Sequence, residues 1–199
     1  TIDDARQREL LVGATGVGVD DTSVFPGVAN AIIGTRFKWV SGYRSGNEIN
    51  LAMERGEVAG RVGWSWSSIK ATKPDWLREG KIHLLVQLSL HKHPELPDVP
   101  LIMDFAKNDD ERRALELVFA RQAMGRPFLA PPGIPGDRAA ALKRAFDSTM
   151  KDAAFVAEAA RMQLEINPVS GDEVQAIVAR MYDAPKPVIE LVKRIVPPT

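Results

Sequence analysis

Val12-Gly13-Ala14-Thr15-Gly16-Val17-Gly18-Val19-Asp20-Asp21 is the stretch on which the reading of this chain turns. The apolar run Leu10-Leu11-Val12 enters it as a strand. Glycines 13, 16 and 18 make a turn, and a segment carrying Val24, Phe25, Val28, Ala29, Ile32 and Ile33 at helical spacing leaves it. In a strand–turn–helix passage the free backbone N–H groups at the helix start converge, and the helix dipole adds partial positive charge. Gly16 and Gly18 put no Cβ in the way of a ligand and permit positive φ. The turn therefore reads as an anion cradle made by Ala14, Thr15, Gly16, Val17, Gly18, Val19 and Asp20, with the Thr15 hydroxyl as one further donor.

The spacing narrows the anion. A dinucleotide fingerprint needs a third glycine five positions after the first, and counting from Gly16 that position is Asp21, a carboxylate that would repel a pyrophosphate. Counting from Gly13 gives G-x-x-G-x-G, and no Gly-Lys-Ser/Thr follows to make a Walker loop. A small carboxylate fits better than a nucleotide; the plain alternative is a glycine-rich connection with no ligand. Asp20 and Asp21 oppose an anion unless they turn away to cap the helix, the role that suits them better.

Composition bounds the rest. At 199 residues the chain is one large domain or two small ones, and 45% hydrophobic content suffices for a sizeable core. Lysine plus arginine equals aspartate plus glutamate at 26 each, which argues against a nucleic-acid or anionic-membrane surface. There is no apolar run of bilayer length. Absence of cysteine excludes disulfides, thiolate metal sites and a cysteine nucleophile.

Strand and helix patterns alternate through the first half. Thr1 or Asp3 caps a short helix, and the helix after the cradle starts at Thr22 or Ser23, holds Pro26 in its first turn and stops at Gly34. A strand at Phe37–Val40, the polar turn 41–46, a helix at Asn47–Arg55 and a strand at Glu57–Trp64 follow. Ile82, Leu84, Val86, Leu88 and Leu90 alternate as a further half-buried strand. After a proline-rich loop, Leu101–Lys107 and Asp109–Met124 read as helices. This is the pattern of an α/β domain with a largely parallel sheet. Arg126–Ala130 reads as a short strand entering the stiff run Pro131-Pro132-Gly133-Ile134-Pro135, the best domain boundary. Beyond it come helices at Gly136–Met150, Asp152–Met162, Gly171–Tyr182 and Pro187–Val196, with one strand at Leu164–Ile166.

Five motifs in this order resemble the extracytoplasmic solute receptors of the tripartite tricarboxylate transporter system, the TctC or Bug family. They are Gly13-Ala14-Thr15-Gly16-Val17-Gly18, Val40-Ser41-Gly42-Tyr43-Arg44-Ser45-Gly46, Glu54-Arg55-Gly56-Glu57-Val58, Leu96-Pro97-Asp98-Val99-Pro100 and Ala130-Pro131-Pro132-Gly133-Ile134-Pro135. The resemblance implies an α/β, periplasmic-binding-protein-like fold of type II, the Venus flytrap, with ligand held between two lobes. It implies that residues 1–125 are the complete second lobe and residues 126–199 the C-terminal, mostly helical part of the first, whose N-terminal part lies outside this chain. It implies a periplasmic protein without enzymatic activity or cofactor, which captures a small carboxylate and presents it to membrane permease subunits. Many members carry aspartate where this chain has Ala59, so no ligand contact is carried over to that position.

Further candidates flank the cradle. Tyr43 and Ser45, with Arg44, sit on the second strand–helix turn, facing the distal end of a ligand; for Tyr43 the alternative is packing, and for Arg44 a solvated charge. Trp64 and Ser65 lie at a strand's carboxyl end, where open α/β sheets bind ligands. Alternation sends Trp64 and Trp66 to one side, as a cleft wall or as two core residues. His91 and His93 lack a third metal ligand nearby in sequence, so no metal site is read from them. No nucleophile elbow or catalytic dyad stands out. The competing function is an α/β enzyme using the cradle for a phosphate; a ligand-sensing lobe is a third.

Overall fold

The computed structural model describes residues 1–16, 18, 20–162 and 164–196. Helix α1 (Ile2–Gln7) opens on a capping box in which the Thr1 hydroxyl accepts from the Asp4 N–H and the Asp4 carboxylate reaches back. Strand β1 (Leu10–Ala14) leads through the glycine turn into α2 (Asp21–Ile33), which ends on Gly34 at φ 81, where a Cβ is disfavoured. Next come β2 (Phe37–Ser41), α3 (Gly46–Glu54) and β3 (Gly60–Arg61).

The three strands form a parallel sheet in the order β2-β1-β3, with Leu10 opposite Phe37, Val12 opposite Gly60 and Gly13 opposite Arg61. The fold is thus mixed α/β around a small parallel sheet. Successive residues of β1 face opposite sides. Val12 is buried in the same cluster as Val24, Phe25, Val28 and Ile32 of α2. Gly13 looks the other way, onto Ile49 of α3, and a Cβ there would meet Ile49 Cγ2 at 2.6 Å. A separate small cluster of Ile49, Ala52 and Val58 lies on that side. Helices α2 and α3 therefore cover opposite faces, as right-handed crossovers require when the chain first steps one way from β1 and then back past it. That reversal makes β1 and β3 the switch point, and the crevice at their carboxyl ends the expected ligand position.

Helices α4 (Trp66–Thr72) and α5 (Pro74–Arg78) follow β3, and a 3-10 turn at Ile102–Phe105 precedes α6 (Asp109–Ala123). Then come α7 (Gly136–Thr149), α8 (Ala153–Arg161), α9 (Gly171–Tyr182) and α10 (Lys186–Ile195). Phe25 of α2 meets Phe119 of α6 edge-on at 5.0 Å between centroids, and α10 packs on α6, adding Val188 and Ile195 to this core.

The strand expectations are met only in part. Glu57–Trp64 contracts to Gly60–Arg61, because Gly63 at φ 71 turns the chain out of the ladder. Ile82–Leu90 forms no strand and contributes only the bridge Gln87↔Leu101. Its buried Gln87 instead ties down the proline-rich loop: the side-chain NH2 donates to the Leu96 and Val99 carbonyls at 2.8 and 2.9 Å, and its oxygen accepts from the His93 N–H. Arg126–Ala130 is not a strand. Pro127 lacks an N–H, Arg126 sits at φ 57, and Phe128 and Leu129 are largely exposed. Leu164–Ile166 finds no partner strand, and Leu101–Lys107 reduces to the 3-10 turn.

Candidate functional site

The topology brings the sequence-chosen residues to one edge of the sheet. Ala14 ends β1 and Thr15, Gly16, Gly18 and Asp20 follow it, Tyr43 and Ser45 follow β2, and Trp64 and Ser65 follow β3. Val17 and Val19 lie outside the described residues.

The β1–α2 turn is framed from within by Asp20. Its carboxylate caps α2, accepting from the Ser23 N–H at 3.1 Å and from the hydroxyls of Ser23, Thr22 and Thr15. The Thr15 N–H donates to the Thr22 hydroxyl at 2.9 Å. Burial pushes the Asp20 pKa up, but the bonds from Thr15, Thr22 and Ser23 together outweigh it, and the carboxyl titrates below the usual aspartate value. Capping is therefore what Asp20 does here. The Thr15 hydroxyl, expected to be free for a ligand, is committed to Asp20. Asp21 is also turned to structure, pairing with Arg121 of α6. Of the two glycines, Gly18 has φ 67, and Gly16 is not among the glycines at positive φ. Among the described residues, the N–H groups of Gly16, Gly18 and Thr22 have no acceptor. Gly16 and Gly18 are partly exposed, and the Gly16 carbonyl is tethered to the end of β2 by the Ser41 hydroxyl at 3.0 Å.

On the second turn, Ser45 caps α3 by accepting from the Glu48 N–H at 3.4 Å, while the Glu48 carboxylate accepts from the Arg44 N–H at 2.8 Å. Tyr43 packs against the Ile49 cluster. Ser45 remains exposed.

Beyond β3 the chain lines a cavity of about 1910 Å³. It is lined by β3 and by residues 82–89, and its wall includes Arg61, Trp64, Ser65, Trp66 and Trp76. The alternation expected for Trp64 and Trp66 ends where α4 begins. Both are half-buried; Trp76 is the core tryptophan, 6.1 Å edge-on from Trp64. The cradle residues 14–16, 18 and 20, and Tyr43 and Ser45, are not part of its wall. Cavity and turn are neighbours along one edge, meeting where Gly63 touches the Asp21 backbone.

Arg61 is the residue that sequence reading missed. Its guanidinium stacks over the Trp64 ring at 4.8 Å, and Nη1 donates to the Gly46 carbonyl at 3.1 Å and Asn50 Oδ1 at 3.2 Å. Among the described residues no carboxylate pairs with it, and its buried Nε has no acceptor. Burial holds its pKa below the usual arginine value. The signal was available: a single arginine inside Val58-Ala59-Gly60-Arg61-Val62, an otherwise apolar strand.

The histidine loop also differs from its expectation. A third group does reach His93, because Glu165, remote in sequence, joins Glu95 beside it, all ligand atoms lying within 4.8 Å. The Lys70 ammonium already occupies this cluster, 2.9 Å from Glu95 and 3.2 Å from Glu165. Glu95 titrates low and Lys70 high, each chiefly through its hydrogen bond to the other. Lys70 thus offsets one of the two carboxylate charges of the cluster. No helix among the described residues is long and apolar enough to cross a membrane.

Compared with family models, with curated proteins and with solved structures, the chain finds no match.

Proposed function

We propose that this chain is the ligand-holding part of an extracytoplasmic solute receptor, similar to the binding proteins of tripartite tricarboxylate transporters, and that it captures a small carboxylate. On this reading residues 1–125 form one lobe of a Venus-flytrap protein and residues 126–199 belong to the other. The site is in the periplasm, needs no cofactor and delivers its ligand to membrane permease subunits.

The observation that carries the proposal is the β1–α2 turn. It stands at the switch point of a parallel sheet, and the Gly16, Gly18 and Thr22 N–H groups lack protein acceptors among the described residues. Charge-assisted bonds from such amides are the stronger kind. Asp20 holds the frame rigid, and the hydrogen bonds it accepts from Thr15, Thr22 and Ser23 spread its charge inward. A ligand carboxylate therefore sits outside Thr15, on the glycine amides.

Tryptophan fluorescence offers the test, since Trp64 and Trp66 border the same edge. Saturable change on adding succinate or citrate supports the receptor. A response to ATP or NAD alone, with none to the organic acids, overturns it in favour of a phosphate-using enzyme.

A further inference from the structure

We propose that the cavity beside β3 is a docking slot for an extended peptide that joins the sheet as a further parallel strand. The partner has a basic residue at its amino end, an apolar middle and an acidic residue at its carboxyl end. The inference goes beyond the carboxylate reading and does not rest on it.

The sheet ends on an open edge. Strand β3 is the last in the order β2-β1-β3, and among the described residues no strand pairs with its other side. The Ala59 N–H donates to the Leu11 carbonyl at 2.8 Å, and Arg61 stands in register with Gly13. Alternate residues of a parallel strand serve one neighbour. Ala59 and Arg61 therefore bond to β1, while Gly60 and Val62 turn their N–H and C=O groups away from it. An open edge of this kind is a template for one more strand.

A second run of chain lines the same cavity with its main chain unspent. Among the described residues, the N–H and C=O groups of residues 82–86 make no hydrogen bond, although Leu84, Leu85 and Val86 are half-buried. Main-chain groups withdrawn from water need partners. The two runs point the same way. Where they begin, the Lys81 ammonium is within electrostatic reach of Glu54, which lies just ahead of β3. Where they end, Gly63 touches the Asp21 backbone, Asp21 pairs with Arg121, and the neighbouring Gln122 donates to the Leu88 carbonyl at 2.8 Å. Strand β3 and residues 82–88 are thus aligned at both ends, yet among the described residues no ladder joins them. Both line the cavity of about 1910 Å³, and a strand placed in it satisfies both sets of groups.

The lining states what the slot takes. Val12, Val62, Leu84 and Val86, with the Trp64 and Trp76 rings, make its length apolar, as suits a strand inside a parallel sheet. Its charges are polarised. Glu9, Glu57 and Asp75 line the end where β3 begins, and Lys81 at that end is engaged by Glu79 at 2.8 Å. Lys92 and Arg126, both exposed, line the end where β3 finishes. A strand parallel to β3 meets carboxylates with its amino end and cations with its carboxyl end.

The test titrates the full chain against a fluorescein-labelled peptide, Lys-Lys-Val-Ile-Val-Thr-Val-Asp-Asp, read by anisotropy, and maps amide hydrogen exchange in the complex. Saturable binding is expected, with slowed exchange at Gly60, Val62 and residues 82–86. A peptide with its charged ends exchanged should bind at least roughly tenfold more weakly, and so should one N-methylated at alternate residues, which cannot complete a ladder. The double variant Lys92→Glu, Arg126→Glu, altered only at exposed positions, should lose the preference between the two charge orders. No binding of the first peptide, or binding without protection of those amides, overturns the slot. Equal affinity for the N-methylated peptide overturns it as well, by showing apolar adsorption alone. Equal affinity for the charge-exchanged peptide, or a preference undiminished in the double variant, overturns the partner assigned to it. None of these outcomes bears on succinate binding at the glycine turn, so the two readings fail separately.

Discussion

Gly63 and Asp21 are in backbone contact: a Cβ on Gly63 would lie 2.8 Å from the Asp21 carbonyl carbon and oxygen. This contact joins the exit of β3 to the first residue of α2, so the two strands that flank the switch point share a corner. Gly63 is also at φ 71, which L-residues with side chains rarely adopt. Gly63→Ala should therefore destabilise the chain by about 1–3 kcal/mol, through strain and overpacking together. Urea unfolding with an unchanged m-value checks it. Stability equal to the native chain would show that this corner is loose.

Gly13 and Ile49 are a similar pair on the α3 face. Gly13→Ala should cost about 1–3 kcal/mol, because the new methyl meets Ile49 Cγ2 at 2.6 Å. Ile49→Ala alone leaves a cavity and should cost about 2–5 kcal/mol. Combined, the two should cost clearly less than their sum, since the added methyl occupies space the isoleucine vacated. Strict additivity in a double-mutant cycle would contradict the contact.

Asp20 gives a pH prediction. Its folded carboxyl titrates below the ordinary value of 3.8, because the hydrogen bonds from Thr15, Thr22 and Ser23 overcome the upward push of burial. The charged form is thus favoured by folding. Its contribution is complete above the unfolded value and lost as the pH falls through the folded one. Asp20→Ala should lower stability at neutral pH by about 1–2 kcal/mol, with the loss of an N-cap. The difference between Asp20→Ala and the native chain should shrink below about pH 4. A difference that stays constant from pH 7 to pH 3 would contradict the role assigned to this carboxylate.

The edge-on pair Phe25 and Phe119 anchors α6 on α2, and Phe119 is fully buried. Phe119→Ala should cost about 3–5 kcal/mol. A loss under about 1 kcal/mol would mean that the packing of α6 and α10 on the sheet layer is not as described.

The helices were legible in the sequence because their signals are local. Gly34 stops α2, Asn108 caps α6 by accepting from the Glu111 N–H, and Gly171–Tyr182 carries its own cap in Ser170. Strands β1 and β2 were legible too, as apolar runs that enter turns. What failed was pairing, which depends on remote partners. Ile82, Leu84 and Val86 alternate as a strand should, yet Gln87 binds the loop carbonyls and the segment stays off the sheet. Helices α4 and α5 were hidden because Trp64 and Trp66 read as a strand end, walling a cleft or filling the core. In the site, the glycine turn and the Ser45 cap were visible as motifs. That Asp20 would spend the Thr15 hydroxyl, and that Arg61 would reach the start of α3, depend on side-chain directions that spacing alone does not encode.

The central claim is that glycine amides at the end of β1 bind a carboxylate. Its most direct test is calorimetric titration of the native chain and of Gly16→Val with succinate. Gly16 is not among the glycines at positive φ, and a valine there places a branched side chain beside the amides that the account assigns to the ligand. The account predicts saturable binding by the native chain and a loss of at least roughly tenfold in the variant, with the unfolding midpoint retained. Undiminished affinity in a folded Gly16→Val protein would contradict it.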